Sequence, residues 1–284
     1  MIEIADPAQS ASWRDLGIRT LSSAILIPAV LLDVWLGDIW FHLFIALLAV
    51  MMAHEWTNIV HDRSSAQFAL HAAGALCGAF LPLSLGWATT LVVIAVISVM
   101  SVTLAVIQNR KARIWVVAGV AYVGLPAMAF VILRGETATG MLTIMWLFAV
   151  VWAADICAYF AGRLIGGPKL APAISPKKTW AGLVGAIAGG CASGIAVGYG
   201  AGVASLIALG LLGGMLAVVE QLGDLFESAL KRHYGVKDSG RLIPGHGGVL
   251  DRVDGLVAAS LVLAAIVIAA GYFGAGNELF GWQP

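Results

Sequence analysis

The sequence is poor in charged residues. Asp, Glu, Lys and Arg make up 11% of its 284 residues, against roughly a quarter in an ordinary soluble domain. Its 16 basic residues balance 16 acidic ones, so no excess of positive charge favours a nucleic acid as partner. Hydrophobic residues reach 60%. Because so few charges cannot cover a globule of this size, much of the surface must face lipid, which predicts a polytopic membrane protein.

Cysteine is scarce as well. The three cysteines, Cys77, Cys157 and Cys191, are widely spaced within apolar stretches. This spacing excludes a disulfide framework and a cysteine metal site, and we interpret the three as small core residues. Residues 1–19 are mostly polar, and no small-residue cleavage motif follows the first apolar run. That run therefore predicts a retained membrane helix rather than a cleaved signal peptide.

The apolar runs predict an all-α protein with about nine transmembrane helices, at roughly 20 residues per crossing. The predicted spans cover residues 18–36, 39–57, 67–85, 87–108, 114–133, 139–162, 180–200, 203–230 and 253–275. The two closest pairs of spans are divided at Gly37 and Gly86.

The basic residues support this number of spans. With nine crossings, fifteen of the sixteen Lys and Arg residues fall on the side of the N-terminus, and only Arg134 falls on the other. The positive-inside rule then predicts a cytoplasmic N-terminus and a C-terminus outside. The two long polar connections, residues 163–179 and 231–252, both lie on the cytoplasmic side. We therefore divide the chain into an N-terminal membrane region, residues 1–135, and a C-terminal membrane region, residues 136–284, whose cytoplasmic connections are the candidate place of function.

Two predicted spans carry ionisable residues along one helix face. The face in the eighth span contains Glu220, Asp224, Glu227 and Ser228, with Gln221 beside them and Lys231 just past the end of the span. The face in the sixth contains Asp155, Tyr159 and Gly162, with Arg163 just past the end. Ionisable residues are costly within a membrane, so each one indicates a functional site or a buried partner.

Simple charge neutralisation is the alternative for some of these residues. Glu227 and Lys231 are four residues apart and can pair within the helix. Asp224 has no basic residue three or four positions away, which favours a bound cation. Asp251 and Asp254 begin the ninth span, where acidic residues also stabilise the helix dipole, so both interpretations stay open.

Both cytoplasmic connections contain a candidate phosphate site. Residues 244–248 read PGHGG, a stretch whose backbone N–H groups can converge on an anion, and basic residues surround it. Residues 175–180 read SPKKTW and place two lysines before a helix N-terminus. An ordinary turn and a simple positive-inside anchor, with Trp180 at the interface, are the respective alternatives.

Together these residue types indicate phosphoryl or nucleotidyl transfer. Aspartates can share a divalent cation that bridges phosphates, while Lys and Arg hold the other oxygens. The sequence has no P-loop, no Gly-x-Ser-x-Gly and no His-Glu-x-x-His motif, since His54-Glu55 lacks the second histidine.

Residues 228–254, SALKRHYGVKDSGRLIPGHGGVLDRVD, resemble the signature of phosphatidate cytidylyltransferases, also called CDP-diglyceride synthases. Residues 175–182, SPKKTWAG, are similar to a second recurrent stretch of that family, from which Ala181 departs. The resemblance implies that CTP and phosphatidate give CDP-diacylglycerol and pyrophosphate, with Mg²⁺ required and a second cation left open. It also implies a homodimer in the bacterial inner (plasma) membrane, and CTP as a cytoplasmic substrate.

The resemblance also implies roles for individual residues. Asp224 and Asp251 would be metal ligands and, with Lys231 and Asp254, catalytic residues. Substrate binding would fall to Ser175, Lys177, Lys178, Thr179, Ser228, Arg232, Lys237, Asp238, His246, Gly247, Gly248 and Arg252.

Three other functions use related residues. A CTP-dependent lipid-alcohol kinase would transfer the γ-phosphate instead of the cytidylyl group. A CDP-alcohol phosphotransferase should show an Asp-Gly-x-x-Ala-Arg element, which the sequence lacks. A cation-coupled transporter would bury carboxylates too, but we find no convincing internal repeat of the kind many transporters have.

Overall fold

The computed structural model describes residues 24–108, 114–203, 205–240, 242–243 and 247–272. Within these residues the chain forms nine α-helices and one two-stranded β-hairpin. The helices of the N-terminal region are α1 (Ala24–Leu36), α2 (Asp38–Val60), α3 (Ser65–Leu85), α4 (Trp87–Ile107) and α5 (Ile114–Arg134). The remainder are α6 (Ala138–Leu164), β1 (Lys169–Ala171), β2 (Ser175–Thr179), α7 (Trp180–Gly200), α8 (Leu206–His233) and α9 (Leu250–Tyr272).

The all-α prediction is confirmed at the level of a multi-pass helical membrane protein. Eight of the described helices, α2 to α9, are long and apolar enough to cross a membrane, while α1 is shorter. No helix end that the structure describes differs from its predicted position by more than three residues. The beginning of the first predicted span, residues 18–23, and the end of the last, residues 273–275, lie outside the described residues.

The two glycine breaks are confirmed as single-residue turns. Gly37 has φ 65° and Gly86 has φ 79°, in the left-handed region that side chains with a Cβ atom rarely adopt. Each residue ends one helix and begins the next, so the paired helices turn back without a connecting loop. The positive φ is the physical reason why an otherwise continuous apolar run divides there.

The connection 163–179, predicted only as a polar loop, contains the β-hairpin. Its strands are antiparallel, with Lys169 opposite Thr179 and Ala171 opposite Ser175. The hairpin leads directly into α7, because the Thr179 hydroxyl accepts a hydrogen bond of 3.0 Å from the Gly182 amide and so caps that helix. Lys177 and Lys178 are thereby held on a short rigid strand.

Small residues allow α7 to pack against α6 and α8 at backbone distance. A Cβ atom added to Gly189 would lie 2.6 Å from the Ala153 carbonyl oxygen of α6, and one added to Gly190 would lie 2.6 Å from the Gly213 carbonyl oxygen of α8. Such close approach is typical of membrane helices, where van der Waals contact rather than the hydrophobic effect drives association. The packing brings the polar faces of α6 and α8 to the same end of α7.

Candidate active site

A cavity of about 380 Å³ opens where α6, the β-hairpin, α7 and α8 meet. Both polar helix faces predicted from the sequence contribute to it, and the two lysines of β2 complete it. The lining residues are Asp155, Ala158, Tyr159, Gly162, Arg163, Lys177, Lys178, Thr179, Gly182, Gln221 and Asp224. Three basic side chains and two carboxylates therefore face one open cavity.

Lys178 is the basic partner of Asp224. Its Nζ atom lies 2.7 Å from Asp224 Oδ2 and donates a hydrogen bond of 2.8 Å to Gln221 Oε1. The expectation that Asp224 lacks a basic partner is wrong: the spacing within α8 excludes only a partner on the same helix, and β2 supplies one. The Ser228 hydroxyl donates to Asp224 Oδ1 at 3.2 Å. The Asp224 side chain nevertheless stays 33% exposed, so its oxygens remain accessible from the cavity.

A second acidic residue, Asp155, faces the same space from α6. It is hydrogen-bonded to the buried Glu220 of α8, whose Oε2 atom also accepts from Gln221 Nε2 at 2.9 Å. The Gln221 side chain thus connects Glu220 to Lys178. This network fixes the positions of Lys178 and Asp155 relative to each other.

Lys231 lies at the centre of a second charged cluster, about two turns further along α8. Its Nζ atom is 2.5 Å from Glu227 Oε2 and 2.7 Å from Asp251 Oδ1. The pairing of Glu227 with Lys231 within the helix, one of the two interpretations that the sequence leaves open, is therefore present. Lys231 also joins α8 to the start of α9, a contact that helix spacing alone does not predict.

Asp251 holds the chain on both sides of the predicted glycine turn. Its Oδ2 atom accepts hydrogen bonds of 2.9 Å from the Ser239 amide, the Ser239 hydroxyl and the Gly248 amide. With Lys231 on Oδ1, both carboxylate oxygens have protein partners. Asp254, one turn further along α9, interacts electrostatically with both Asp224 and Lys231, so it lies near both groups.

Of the other predicted site residues, Lys177 and Thr179 line the cavity, and Thr179 also caps α7. Ser175 begins β2, and Arg232 is exposed and reaches back to the hairpin, where its Nε atom donates to the Ile174 carbonyl at 3.4 Å. Lys237, Asp238 and Arg252 are exposed and do not line the cavity, while Gly247 and Gly248 lie beside the carboxylate of Asp251. His246 lies outside the described residues.

Glu55 has contacts that the sequence motifs do not predict. This residue of α2 is 1% exposed, and its carboxylate accepts hydrogen bonds from the Ser239 hydroxyl and from the amides of Val249 and Leu250. The sequence does contain one indication of such a role, because an acidic residue within an apolar membrane span is costly unless it has a partner or a function. The sequence predicts Asp155 and Arg163 as part of a polar helix face but not as site residues, because their proximity to Lys178 depends on how α6 and α7 pack.

The cavity suits a magnesium ion in the chemistry of its donor groups. Mg²⁺ binds through one or two carboxylates, keeps several waters and takes substrate phosphates as its remaining ligands. Asp224 and Asp155 offer such oxygens, although among the described residues no group of three or more His, Cys, Asp or Glu side chains converges on one point. Both oxygens of Asp251 already interact with protein donors, so an ion bound there would share the carboxylate with them.

These features define a class of protein: a multi-pass membrane enzyme whose site combines fixed cations with carboxylates, as phosphate chemistry requires. The chain belongs to the cytidylyltransferase family, whose model matches residues 17–270. The match includes most of the N-terminal membrane region, where the sequence motifs alone showed no resemblance.

Curated relatives are similar over most of their length. The phosphatidate cytidylyltransferase of Brucella suis biovar 1 (strain 1330) is 42% identical over 257 residues, which cover 88% of this chain and 92% of the relative. That of Pseudomonas aeruginosa (strain PAO1) is 36% identical over 269 residues, which cover 89% of this chain and 97% of the relative. That of Staphylococcus haemolyticus (strain JCSC1435) is 35% identical over 247 residues, covering 84% and 93%.

Proposed function

We propose that this protein is a phosphatidate cytidylyltransferase. A phosphate oxygen of phosphatidate attacks the α-phosphorus of CTP, the bond between that phosphorus and the bridging oxygen to the β-phosphate breaks, and pyrophosphate leaves. CDP-diacylglycerol is the lipid product. The observation that carries the proposal is the cavity in which Arg163, Lys177 and Lys178 face Asp155 and Asp224, in a chain of the cytidylyltransferase family.

The cavity residues can hold both phosphate-bearing substrates. Lys177 and Arg163 are exposed and line the cavity, and Arg163 Nη1 donates to the Tyr159 hydroxyl at 2.9 Å. Lys177 can approach phosphate oxygens as a single positive charge. Arg163 can bind them through two parallel N–H groups of its planar guanidinium. Lys178 is already held by Asp224 and Gln221. It therefore meets the substrate without a large loss of side-chain entropy.

The proposed magnesium site uses Asp224, with Asp251 as the second ligand that the family signature implies. Support for Asp224 is its accessible carboxylate in the cavity. A bound Mg²⁺ would neutralise charge that develops on the transferred phosphate and on the leaving pyrophosphate. Asp254, near both Asp224 and Lys231, would add negative charge that affects the electrostatic potential at the metal site.

We propose nine membrane crossings, with the N-terminus and the active site cytoplasmic and the C-terminus outside. The asymmetric distribution of Lys and Arg supports this orientation, and CTP is a cytoplasmic substrate. The same argument, with bacterial relatives, supports a location in the bacterial inner membrane. A homodimer is proposed from the family resemblance, and the mass of the protein in nanodiscs would test it.

The function is tested by incubating purified protein with phosphatidate, Mg²⁺ and CTP labelled at either the α- or the γ-phosphate. Cytidylyl transfer puts the α-label into lipid and releases the γ-label as pyrophosphate. Lipid labelled only from γ-labelled CTP would instead identify a kinase. The Asp224→Asn variant is the matched negative control, and labelled lipid from neither substrate with the unmodified protein would overturn the proposal.

A further inference from the structure

Glu55 is a buried carboxylate far from the signature segment in sequence but in direct contact with it. The residue lies in α2, in the N-terminal region, and is 1% exposed. It does not line the cavity of the proposed active site. The three hydrogen-bond donors that the described residues supply to it all belong to residues 239–250, nearly two hundred positions later.

The carboxylate performs the capping that α9 cannot provide for itself. The residue before this helix is Val249, whose side chain has no hydrogen-bond acceptor. Glu55 Oε1 accepts from the Val249 amide and Oε2 accepts from the Leu250 amide, both at 2.9 Å. Because the N-terminus of a helix carries partial positive charge, a buried carboxylate is favourable there.

Glu55 is also coupled to the second charged cluster through one hydroxyl. Ser239 Oγ lies 3.0 Å from Glu55 Oε2 and 2.9 Å from Asp251 Oδ2. Asp251 in turn pairs with Lys231 of α8. Glu55, Ser239, Asp251 and Lys231 thus form a continuous chain of contacts from α2 to the residues that the proposed reaction uses.

Two glycines show how closely the segment is fitted to this carboxylate. A Cβ atom added to Gly240 would lie 2.5 Å from Glu55 Oε1, and one added to Gly248 would lie 2.6 Å from both Glu55 oxygens. The backbone on either side of the signature turn therefore approaches the carboxylate directly. No larger residue fits while Glu55 keeps its place.

We propose that Glu55 is a positioning residue for catalysis: its carboxylate fixes Ser239 and the start of α9, and through them it holds Asp251 and Lys231 in register with the cavity. The inference rests on the proposed function, because its kinetic test measures cytidylyl transfer. By this inference the N-terminal region, through Glu55 of α2, positions residues of the active site.

The first test replaces Glu55 with Gln, which has the same shape but brings an NH₂ group against the amide donors of Val249 and Leu250. We expect kcat to fall roughly 30-fold or more while KM for CTP changes by less than about threefold, because the substrate-binding cavity is intact and the reacting groups are displaced. Hydrogen exchange of a peptide covering residues 247–255 should accelerate in the same variant, which is a readout independent of activity.

Thr57→Val is the matched control. Thr57 is 1% exposed on the same helix, and its hydroxyl donates to the carbonyls of Ala53 and His54 within α2. A general loosening of α2 would affect both variants, whereas the positioning role predicts a change in kcat and in exchange only for Glu55→Gln. Equal effects of the two substitutions, or an unchanged kcat in Glu55→Gln, would overturn the proposal.

A second test uses rescue and does not depend on Glu55→Gln folding well. Gly240→Ala should lower activity because its Cβ atom meets Glu55, and Glu55→Asp should partly restore it because the shorter side chain withdraws the carboxylate. We expect the double variant to be at least about fivefold more active than Gly240→Ala alone, a coupling typical of contacting residues. A double variant less active than Gly240→Ala would contradict the assignment. Inactive unmodified protein would instead refute the proposed function.

Discussion

At the scale of single residues, Lys178 and Lys231 each pair with carboxylates, but these carboxylates differ in how far they are exposed to solvent. Both lysine side chains are 15% exposed, but Asp224 is 33% exposed whereas Asp251 is 8% exposed and Glu227 is fully buried. Asp224 therefore keeps carboxylate surface open to a metal cation, whereas a phosphate would be attracted to Lys178. Both carboxylate oxygens of Asp251 accept hydrogen bonds from protein groups. Asp251 therefore also stabilises the segment before α9.

The metal assignment predicts that Asp224→Asn and Asp251→Asn each abolish turnover while the protein still folds and inserts. Loss of a ligand to an ion that stabilises charge in the transition state should cost about 10³-fold or more in rate. The measurement is initial rate against Mg²⁺ concentration, with Glu136→Gln, an exposed acid in the turn between α5 and α6, as the control. Near-normal turnover of either aspartate variant at modest Mg²⁺ would contradict its assignment as a ligand.

The lysines of β2 are predicted to bind substrate phosphates rather than to anchor the hairpin. Lys177→Ala and Lys178→Ala should each lower kcat/KM by roughly 10–100-fold, which corresponds to about 1.4–2.8 kcal/mol of transition-state stabilisation. Binding of Mg²⁺ or Mn²⁺ should persist in both variants. Lys169→Ala is the control, since Lys169 is exposed on the same hairpin but does not line the cavity. Wild-type kinetics for both Lys177→Ala and Lys178→Ala would contradict phosphate binding and would show that these lysines act only as positive-inside anchors.

At the scale of elements, α7 determines how the polar faces of α6 and α8 meet. Its glycines allow backbone contact with both neighbours, and Trp146 of α6 donates from Nε1 to the Gly194 carbonyl of α7 at 3.2 Å. The Asp155–Glu220 and Lys178–Asp224 contacts depend on this spacing. A displacement of α7 should therefore disturb the site before it unfolds the protein.

Gly190→Val is predicted to lower both stability and activity. Its Cβ atom would lie 2.6 Å from the Gly213 carbonyl oxygen and 2.9 Å from Ala217 Cβ, so α7 and α8 must separate. Overpacking of this kind costs about 1–3 kcal/mol, measured as the free energy of unfolding in detergent. Gly200→Ala, at the end of the same helix, is the control, because an added Cβ atom there meets nothing within 4 Å. If Gly190→Val were as stable and active as Gly200→Ala, the close packing of α7 would have no energetic importance.

At the scale of the whole molecule, the proposed orientation can be tested together with the function. Single cysteines in a variant lacking Cys77, Cys157 and Cys191 report which side of the membrane each position faces. A cysteine at Glu136 should react with a membrane-impermeant thiol reagent in intact cells, whereas one at Lys237 should react only after the membrane is opened. Both positions are exposed, so burial does not prevent labelling. Labelling of position 237 in sealed cells would place the signature segment outside and remove its access to cytoplasmic CTP.

Much of the architecture could be predicted from the sequence, because membrane helices are defined by local properties. Length and hydrophobicity locate each span, and Gly37 and Gly86 mark the divisions between the two closest pairs of spans. The polar faces of α6 and α8 follow from helical spacing, and so does the Glu227–Lys231 pair. These features depend on residues within a few positions of one another.

The partners across helices required the tertiary structure. Asp224 takes Lys178 from the hairpin, Lys231 takes Asp251 from α9, and Glu55 takes the amides that begin α9. Each pair is separated by 20 residues or more, and helical spacing does not contain the angle or distance at which two helices pack. The sequence by itself determined the helices, their polar faces and the phosphate chemistry of the signature segments. Only packing, through the small residues of α7 and the buried carboxylate of α2, decided which charges meet and where the cavity lies.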